Sequence, residues 1–249
     1  MTVWFASGNI HKKQELADIL SGDILSNDIL SSDILSSDIL SGAVPAAVTP
    51  RETGWKLKIP SEAGIAFGPE ETGSAFLDNA LIKAVELHRL LGEKGVLRPG
   101  EAVIADDSGI CVDALGGRPG IHSAYYRGRN MPADPRRKPD AAEQNALLLE
   151  ELGDTPLRTA RFVCAMVLYY NPDRFFVAQE TLEGELVKNA EAARGKGGFG
   201  YDPILYIPAL GRTVAELNAE EKNRWSHRGK AGRIISKILL GNILAEECR

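Results

Sequence analysis

The stretch "AVIADDSGICVDALGG", Ala102 to Gly117, places two adjacent carboxylates directly after an apolar run. Ala102 to Ala105 have the composition of a buried strand, and Asp106 and Asp107 stand at its predicted end, before a predicted Ser-Gly turn. Burying ionised carboxylates without partners is costly, so these acids need a balancing group. The pair has two interpretations. It could be a functional site, in which an Asp is a catalytic base or a ligand of a divalent cation, or it could be an Asx-turn with N-cap pairing.

Strands and helices alternate on both sides of this stretch. Strands are predicted at "TVWFA" (2–6), "RTARFVCAMVLYY" (158–170) and "FFVAQETLEGELV" (175–187), the last two joined by "NPDR" as an antiparallel hairpin. Helices are predicted from Asn9, from Thr72, over "AAEQNALLLEEL" (141–152) before Gly153, and after Ser226. The expected fold class is α/β with a mixed sheet.

A five-residue unit, SxDIL, repeats four times over residues 21–42. A period of five matches neither the 3.6 residues of a helical turn nor the two of a strand, so no single face stays apolar. We interpret the repeat as an inserted, mobile excursion that carries no catalytic constellation. An extension of the first helix and of the next strand is the alternative.

The composition excludes several classes of protein. The chain has 249 residues, 44% of them apolar and 25% charged, which is ordinary for a soluble globular protein. A formal charge of −5 argues against attraction to nucleic acid or anionic membranes, and no apolar run approaches a membrane span. The opening "MTVWFASGN" lacks the basic start of a signal peptide. Three widely separated cysteines, Cys111, Cys164 and Cys248, suit a reducing cytosol, so we expect a cytoplasmic protein.

Two segments at predicted helix starts could serve an anionic ligand. "SGNIHKK" (7–13) joins a strand to a helix, where backbone N–H groups and the helix dipole favour an anion and Lys12 adds a cation; an ordinary connection is the alternative. "GPEETGSAFLDNALIKA" (68–84) places Glu70 and Glu71 before a helix, and capping would account for one of them. Asp78 and Lys83 in the same segment fit a solvated helix face.

Two later segments suit a base and a phosphate. "GKGGFGYDP" (195–203) surrounds Phe199 and Tyr201 with glycines, which let backbone approach a ligand beside an aromatic face; a flexible hairpin is the alternative. "EEKNRWSHRGKA" (220–231) crowds basic side chains at a helix entry capped by Ser226, and an arginine there can grip a phosphate or a carbonyl edge. Together the segments fit one ligand that is anionic, carries a base and binds a metal, such as a nucleoside triphosphate.

In this order, the segments resemble the signatures of the inosine triphosphate pyrophosphatases, also called non-canonical purine nucleoside triphosphate pyrophosphatases. "SGNIHKKQEL" resembles the family's T/S-G-N-x-x-K-x-x-E-L, and "EETGSAFLDNALIKA" resembles E-E-T-G-x-T-F-x-E-N-A-x-x-K-A. "IADDSGICVDALGGRPGIHSA", "GGFGYDPILY" and "TVAELNAEEKNRWSHRGKA" are similar to the other three signatures. The resemblance implies an elongated mixed sheet with flanking helices, in a single domain (1–249) of two lobes around a central substrate cleft, usually as a homodimer.

The resemblance also implies an activity, the hydrolysis of dITP, ITP, XTP or dXTP to the monophosphate and pyrophosphate, which removes these nucleotides from the pool. By position, Asp107 would be the general base, and Glu71, Asp107 and Asp106 would place Mg²⁺. The implied triphosphate-binding residues are Ser7, Gly8, Asn9, Ile10, His11 and Lys12. The other implied substrate contacts are Ser108, then Phe199, Gly200, Tyr201 and Asp202 on the nucleoside, and Lys222, His227 and Arg228 on the purine 6-oxo edge or phosphate.

Three features depart from the family pattern: the repeat at 21–42, Tyr125 in place of an arginine in "SAYYRG", and Asp78 where Glu is usual. Two other functions remain open at this point. A nucleotide-binding sensor without turnover is disfavoured by the intact Asp106–Asp107 pair. A related pyrophosphatase acting on modified pyrimidines is disfavoured by "GGFGYDP" and "SHR".

Overall fold

A seven-stranded mixed sheet organises the part of the chain that the computed structural model describes, residues 2–21, 56–128 and 139–247. Its strand order is β2-β1-β3-β4-β5-β6-β7. The strands are β1 (Thr2–Phe5), β2 (Lys56–Lys58), β3 (Ala102–Val112), β4 (Thr159–Asn171), β5 (Arg174–Leu186), β6 (Leu205–Ile207) and β7 (Arg212–Thr213). β1 pairs in parallel with β2 and β3, and all other neighbours pair antiparallel. The predicted α/β class with a mixed sheet is confirmed.

Helices cover both faces of the sheet. They are α1 (Ile10–Ser21), α2 (Phe76–Glu93), α3 (Ala141–Leu152), α4 (Ala219–Trp225) and α5 (His227–Glu247). Because strand side chains alternate between faces, Ala102 and Ile104 pack with α1 and α5, whereas Val103 and Ala105 pack with α2. None of the helices within the described ranges combines the length and the apolar character needed to cross a membrane.

Local signals decide where α3 begins and ends, as predicted. The Asp140 carboxylate accepts the backbone N–H of Glu143 at 2.7 Å, which satisfies one of the unpaired donors of the first turn. Gly153, with φ of 58°, follows the last helical residue and donates its N–H to Leu149 O. The β4–β5 hairpin and the Ser226 cap of α5, whose Oγ accepts the Gly229 N–H at 3.0 Å, are confirmed in the same way.

The predicted start of α2 at Thr72 is wrong, because the helix begins at Phe76. The Asp78 carboxylate accepts the backbone N–H groups of Ser74 and Ala75, both at 3.0 Å, and this holds the preceding residues outside the helix. Ala75 accordingly has extended φ and ψ angles of −136° and 161°. The shorter acid at 78 therefore serves as a helix cap.

The predicted Ser-Gly turn after Asp107 is also wrong. β3 continues without interruption to Val112, because β4 pairs with it residue by residue, Asp106 opposite Met166 and Gly109 opposite Val163. On its other edge, β3 loses its neighbour early, since β1 ends at Phe5 opposite Ile104. From Asp106 onward, that edge of β3 has no strand beside it among the described residues. Both carboxylates thus lie inside a strand, at the place where the sheet opens.

The hydrophobic core is divided along β3. Two clusters surround Ala102 to Ala105, and a third surrounds Ile110 and Val112 together with α3 and β6. The carboxylates lie between them. This arrangement favours two lobes around a cleft, which stays a prediction, as does the single domain over 1–249. Apart from Ser21, the repeat at 21–42 lies outside the described residues. Its interpretation as an inserted, mobile excursion therefore stays a prediction.

Candidate active site

A cavity of about 610 Å³ opens beside the unpaired edge of β3. Every predicted site residue lines it except Ile10, whose side chain is 62% exposed. Residues from β3, from the segment before α1, from the turn before β6 and from α4 and α5 meet in this one space. The fold therefore brings together segments that are far apart in the sequence.

Asp106 lies on the α1/α5 side of the sheet and is enclosed by cations. Its Oδ2 is 2.8 Å from Lys12 Nζ and 3.2 Å from Arg228 Nη2. Burial alone would raise the pKa of Asp106, but Lys12, Arg228 and Lys83 together hold that pKa well below its usual range. Its Oδ1 is buried and has no hydrogen-bond partner within the described residues. The partners that balance this carboxylate are thus an ammonium and a guanidinium.

Asp107 points to the opposite face of the sheet, toward α2. Its Oδ1 is 2.9 Å from Lys83 Nζ, and its Oδ2 accepts from Asn79 Nδ2 at 3.3 Å. Lys83 Nζ is also 3.5 Å from Glu71 Oε2. Burial lowers the pKa of Lys83, but the neighbouring Asp107, Asp106 and Glu71 raise it by more, so the ammonium stays charged. One cation is therefore shared by two carboxylates.

Aromatic and cationic groups meet on another part of the wall. The Phe199 ring has Lys222 Nζ 4.7 Å and Arg228 Cζ 5.6 Å from its centroid, and the His11 ring lies at 6.0 Å. Glu15 holds both cations, with Oε1 2.8 Å from Lys222 Nζ and Oε2 2.6 Å from Arg228 Nη1. A flat ring beside fixed hydrogen-bond donors suits an aromatic base with acceptor atoms on its edge.

His227 is a neutral group in this cationic surrounding. Burial lowers the pKa of His227 well below its usual value, and the nearby Arg228 and Lys222 lower it further. The ring stacks on Phe162 with centroids 4.9 Å apart, and its buried Nδ1 has no hydrogen-bond partner among the described residues. A neutral imidazole offers no positive charge to a phosphate.

The predicted anion site at the start of α1 is partly occupied by its own cap. Asn9 Oδ1 accepts the backbone N–H groups of His11 at 2.9 Å and Lys12 at 3.3 Å. Ser7 Oγ accepts the N–H of Asn9 at 3.1 Å. Binding of a phosphate there stays a prediction, and the Lys12 ammonium is the stronger contributor to it.

The sequence profile of the Ham1 family matches residues 3–238 of this chain. The chain belongs to the Ham1 family. It is 39% identical over 245 residues to a dITP/XTP pyrophosphatase of Treponema denticola, covering 97% of this chain and all of that protein. It is 50% identical over 163 residues to a dITP/XTP pyrophosphatase of Geobacillus kaustophilus, covering 65% of this chain and 71% of that protein. The structure of the Staphylococcus aureus Ham1 protein matches with a TM-score of 0.69 at 30% identity, covering 97% of this chain and all of that one.

Ham1 nucleotide pyrophosphatases generally need a divalent metal, and the residues on the α2 side of the sheet fit one. Asp107 and Glu71 together carry two negative charges against the single charge of Lys83, so this side keeps a net negative charge. Two carboxylates are the usual protein share of a Mg²⁺ site, whose other ligands are water and phosphate. Within the described residues, no three His, Cys, Asp or Glu side chains are grouped so that they could hold a metal ion.

The sequence reasoning missed four cavity or network residues of this Ham1 protein: Asn79, Lys83, Glu15 and Gln144. The expectation that Lys83 lies on a solvated face is wrong, since it is 8% exposed and faces Asp107. Helical spacing could have found three of the four. Asn79 and Lys83 are four residues apart and share a face of α2, and Glu15 shares a face of α1 with Lys12.

Proposed function

We propose that this chain hydrolyses non-canonical purine nucleoside triphosphates, dITP or ITP and XTP or dXTP, to the monophosphate and pyrophosphate. The observation that carries the proposal is the convergence, in one cavity, of the Asp107–Lys83–Glu71 cluster with the Phe199–Lys222–Arg228 group. The first suits a metal-bound triphosphate and the second suits a base. The names of the Treponema and Geobacillus relatives agree with this assignment.

Asp107 is the proposed general base, which takes a proton from the attacking water. Lys83 Nζ, 2.9 Å from Asp107 Oδ1, keeps this carboxylate in place and supplies positive charge beside the phosphates. Glu71 and Asp107 would hold Mg²⁺, which when bound neutralises phosphate charge. Asp106 faces the other side of the sheet, so we propose that it fixes Lys12 and Arg228 instead of joining the metal site.

Selection among purines follows from the donors beside Phe199. Arg228 and Lys222 can donate to a 6-oxo group, and His227 lines the same cavity. An adenine 6-amino group would leave buried donors unpaired, at about 1–3 kcal/mol for each. Lys12, Ser7 and Ser108 lie on the same cavity wall and complete the proposed phosphate contacts.

The proposal includes a homodimer in the cytoplasm. Cys111 and Cys164 are free thiols, as a reducing compartment requires. Burial raises the pKa of Cys164 to about 12, so this thiol stays protonated. Cys248 lies outside the described residues.

The test is the release of pyrophosphate from dITP, XTP, dGTP and dATP, each with Mg²⁺ and with EDTA. We expect fast release from dITP and XTP with Mg²⁺, little from dGTP and dATP, and none with EDTA. Binding of dITP without release would overturn the proposal in favour of a sensor. Equal release from all four would overturn its purine selectivity.

A further inference from the structure

Two neighbouring amide side chains of α3 contact two separate turns of the cavity wall. Gln144 Nε2 donates to the backbone oxygens of Ser123 at 3.1 Å and Ala124 at 3.0 Å. Asn145 Nδ2 donates to the backbone oxygen of Gly200 at 3.2 Å. Both side chains are buried, so these hydrogen bonds form away from competing water.

The two turns are the 120–125 turn between β3 and α3 and the 199–202 turn before β6. They meet at one atom, because Ser123 O accepts from Tyr201 Oη at 2.9 Å as well as from Gln144. Burial raises the pKa of Tyr201, which keeps its hydroxyl a donor. A single carbonyl thus joins α3 to both turns.

The 199–202 turn carries the ring that the proposed function places against the base. The Phe199 N–H donates to Asp202 Oδ2 at 2.8 Å, and the same oxygen lies 2.8 Å from Lys222 Nζ. The position of Phe199 is therefore set within its own turn by Asp202 and relative to the opposite wall by Tyr201 and Ser123. Gln144 fixes that opposite wall.

Among the described residues, Gln144 forms no hydrogen bond with the carboxylates or cations of the proposed phosphate-binding part of the cavity. Its amide is 4% exposed and both of its N–H bonds go to the 120–125 turn. An apolar side chain of the same size would fill the space but leave two carbonyl oxygens without this donor. The 120–125 turn would then lose its anchor to α3, and only the hydrogen bond of Tyr201 Oη to Ser123 O described above would still join it to the 199–202 turn.

We propose that Gln144 is a positioning residue for the nucleoside part of the substrate. It holds the 120–125 turn against the 199–202 turn and so sets the width of the base-binding part of the cavity, with no part in binding the phosphates. The inference rests on the proposed function for the identity of the ligand.

The test compares wild type and Gln144→Leu by calorimetric binding of two probes with Mg²⁺, inosine 5′-monophosphate and inorganic pyrophosphate. We expect the variant to bind inosine 5′-monophosphate about tenfold more weakly, the scale of one lost buried hydrogen-bonded constraint. Pyrophosphate binding should change by less than about twofold, since Gln144 touches no phosphate-side group. In steady state, KM for dITP should rise about tenfold while kcat stays within about threefold.

Leu152→Val is the matched control on the same helix. Leu152 is buried in the core cluster around α3 and contacts neither turn through a hydrogen bond, so the change should lower Tm and leave both affinities unaltered. Gln144→Glu, which keeps the size but turns an acceptor toward two carbonyls, replaces Gln144→Leu if that variant does not fold, and the same loss is expected.

Unchanged binding of inosine 5′-monophosphate, or equal losses for both probes, would overturn the inference. Both probes bind without turnover, so this result is separate from the proposed function. That function fails instead if wild type releases no pyrophosphate from dITP.

Discussion

Adjacent carboxylates on the two faces of the sheet have different surroundings. On the face toward α1 and α5, here the Asp106 face, Lys12, Lys222 and Arg228 stand against Asp106, Glu15 and Asp202, three cations against three carboxylates. On the face toward α2, the Asp107 face, Lys83 is the one cation paired with Asp107 and Glu71 within the part of the chain that the structure describes. The Asp106 face is electrically balanced, whereas the Asp107 face retains a negative charge that a bound cation can neutralise.

The two carboxylates differ because they are consecutive residues of one strand. Successive residues of a strand point to opposite faces, so neighbours in sequence become members of separate networks. We propose that the Asp107 face holds the metal and activates water, whereas Asp106 positions the cations that contact the substrate. Substitutions at matched positions on the two faces test this division.

The largest effect is expected for Asp107→Asn. Removing the proposed base should lower kcat for dITP by at least about 10³-fold, whereas dITP binding should change only a few-fold. Single-turnover kinetics and calorimetry measure the two quantities. Asp113→Asn, at a half-buried ion pair with Arg161 just after β3, is the control and should retain full activity. Turnover near the wild-type rate in Asp107→Asn would remove the base assignment.

Asp106→Asn should act mainly on stability. The substitution removes the carboxylate shared by the half-buried Lys12 and the buried Arg228, which then keeps only Glu15 among the described carboxylates, and this costs about 3 kcal/mol in free energy of unfolding. Urea denaturation of Asp106→Asn, Asp107→Asn and wild type makes the comparison. Breaking the half-buried ion pair of Asp113 with Arg161 by Asp113→Asn should lower the free energy of unfolding by less than about 1 kcal/mol. If Asp106→Asn is no less stable than Asp113→Asn, the two faces are not divided as described.

Glu71→Gln should act on the metal. Removing one of two carboxylates from the Asp107 face should raise the Mg²⁺ concentration for half-maximal turnover about tenfold, with kcat at saturating Mg²⁺ recovered. A Mg²⁺ titration of dITP hydrolysis gives this value. Glu70→Gln, the neighbouring acid that does not line the cavity, is the matched control. An equal Mg²⁺ requirement in Glu70→Gln and Glu71→Gln would contradict the assignment.

The smallest effect is a pH dependence of stability specific to Asp106. Because cations hold the pKa of Asp106 well below its usual range, its contribution is complete above the unfolded pKa and is lost as pH falls toward the folded pKa. Between pH 5 and pH 3, wild type should lose about 1 kcal/mol more than Asp106→Asn. Urea midpoints at the two pH values report this, and parallel losses in both proteins would contradict it.

Most residues of the candidate site could be predicted from the sequence. The separation of Asp106 and Asp107 onto two faces of the sheet could not. Sixteen of the seventeen predicted site residues line the cavity, because each belongs to a segment with a local chemical signature. Lys83 stands at the lysine position of the family signature around α2 but fitted a solvated helix face, and Gln144 lies outside all five signatures. Their roles depend on which strand or turn packs against their helix, and that is decided by contacts distant in sequence.

The fold class, the ends of α3 and the β4–β5 hairpin could be predicted from the sequence alone, because they depend on periodicity, caps and turns, which act over a few residues. The site residues were implied by the resemblance to the family, and their roles stay a prediction. The tertiary structure was needed to show that β3 runs through both carboxylates, that β3 loses β1 as a neighbour after Ile104, and that Asp106 and Asp107 face different cations. The physical reason is that pairing with β4 overrides the local turn preference of Ser108-Gly109, and strand alternation then sends adjacent side chains into separate environments.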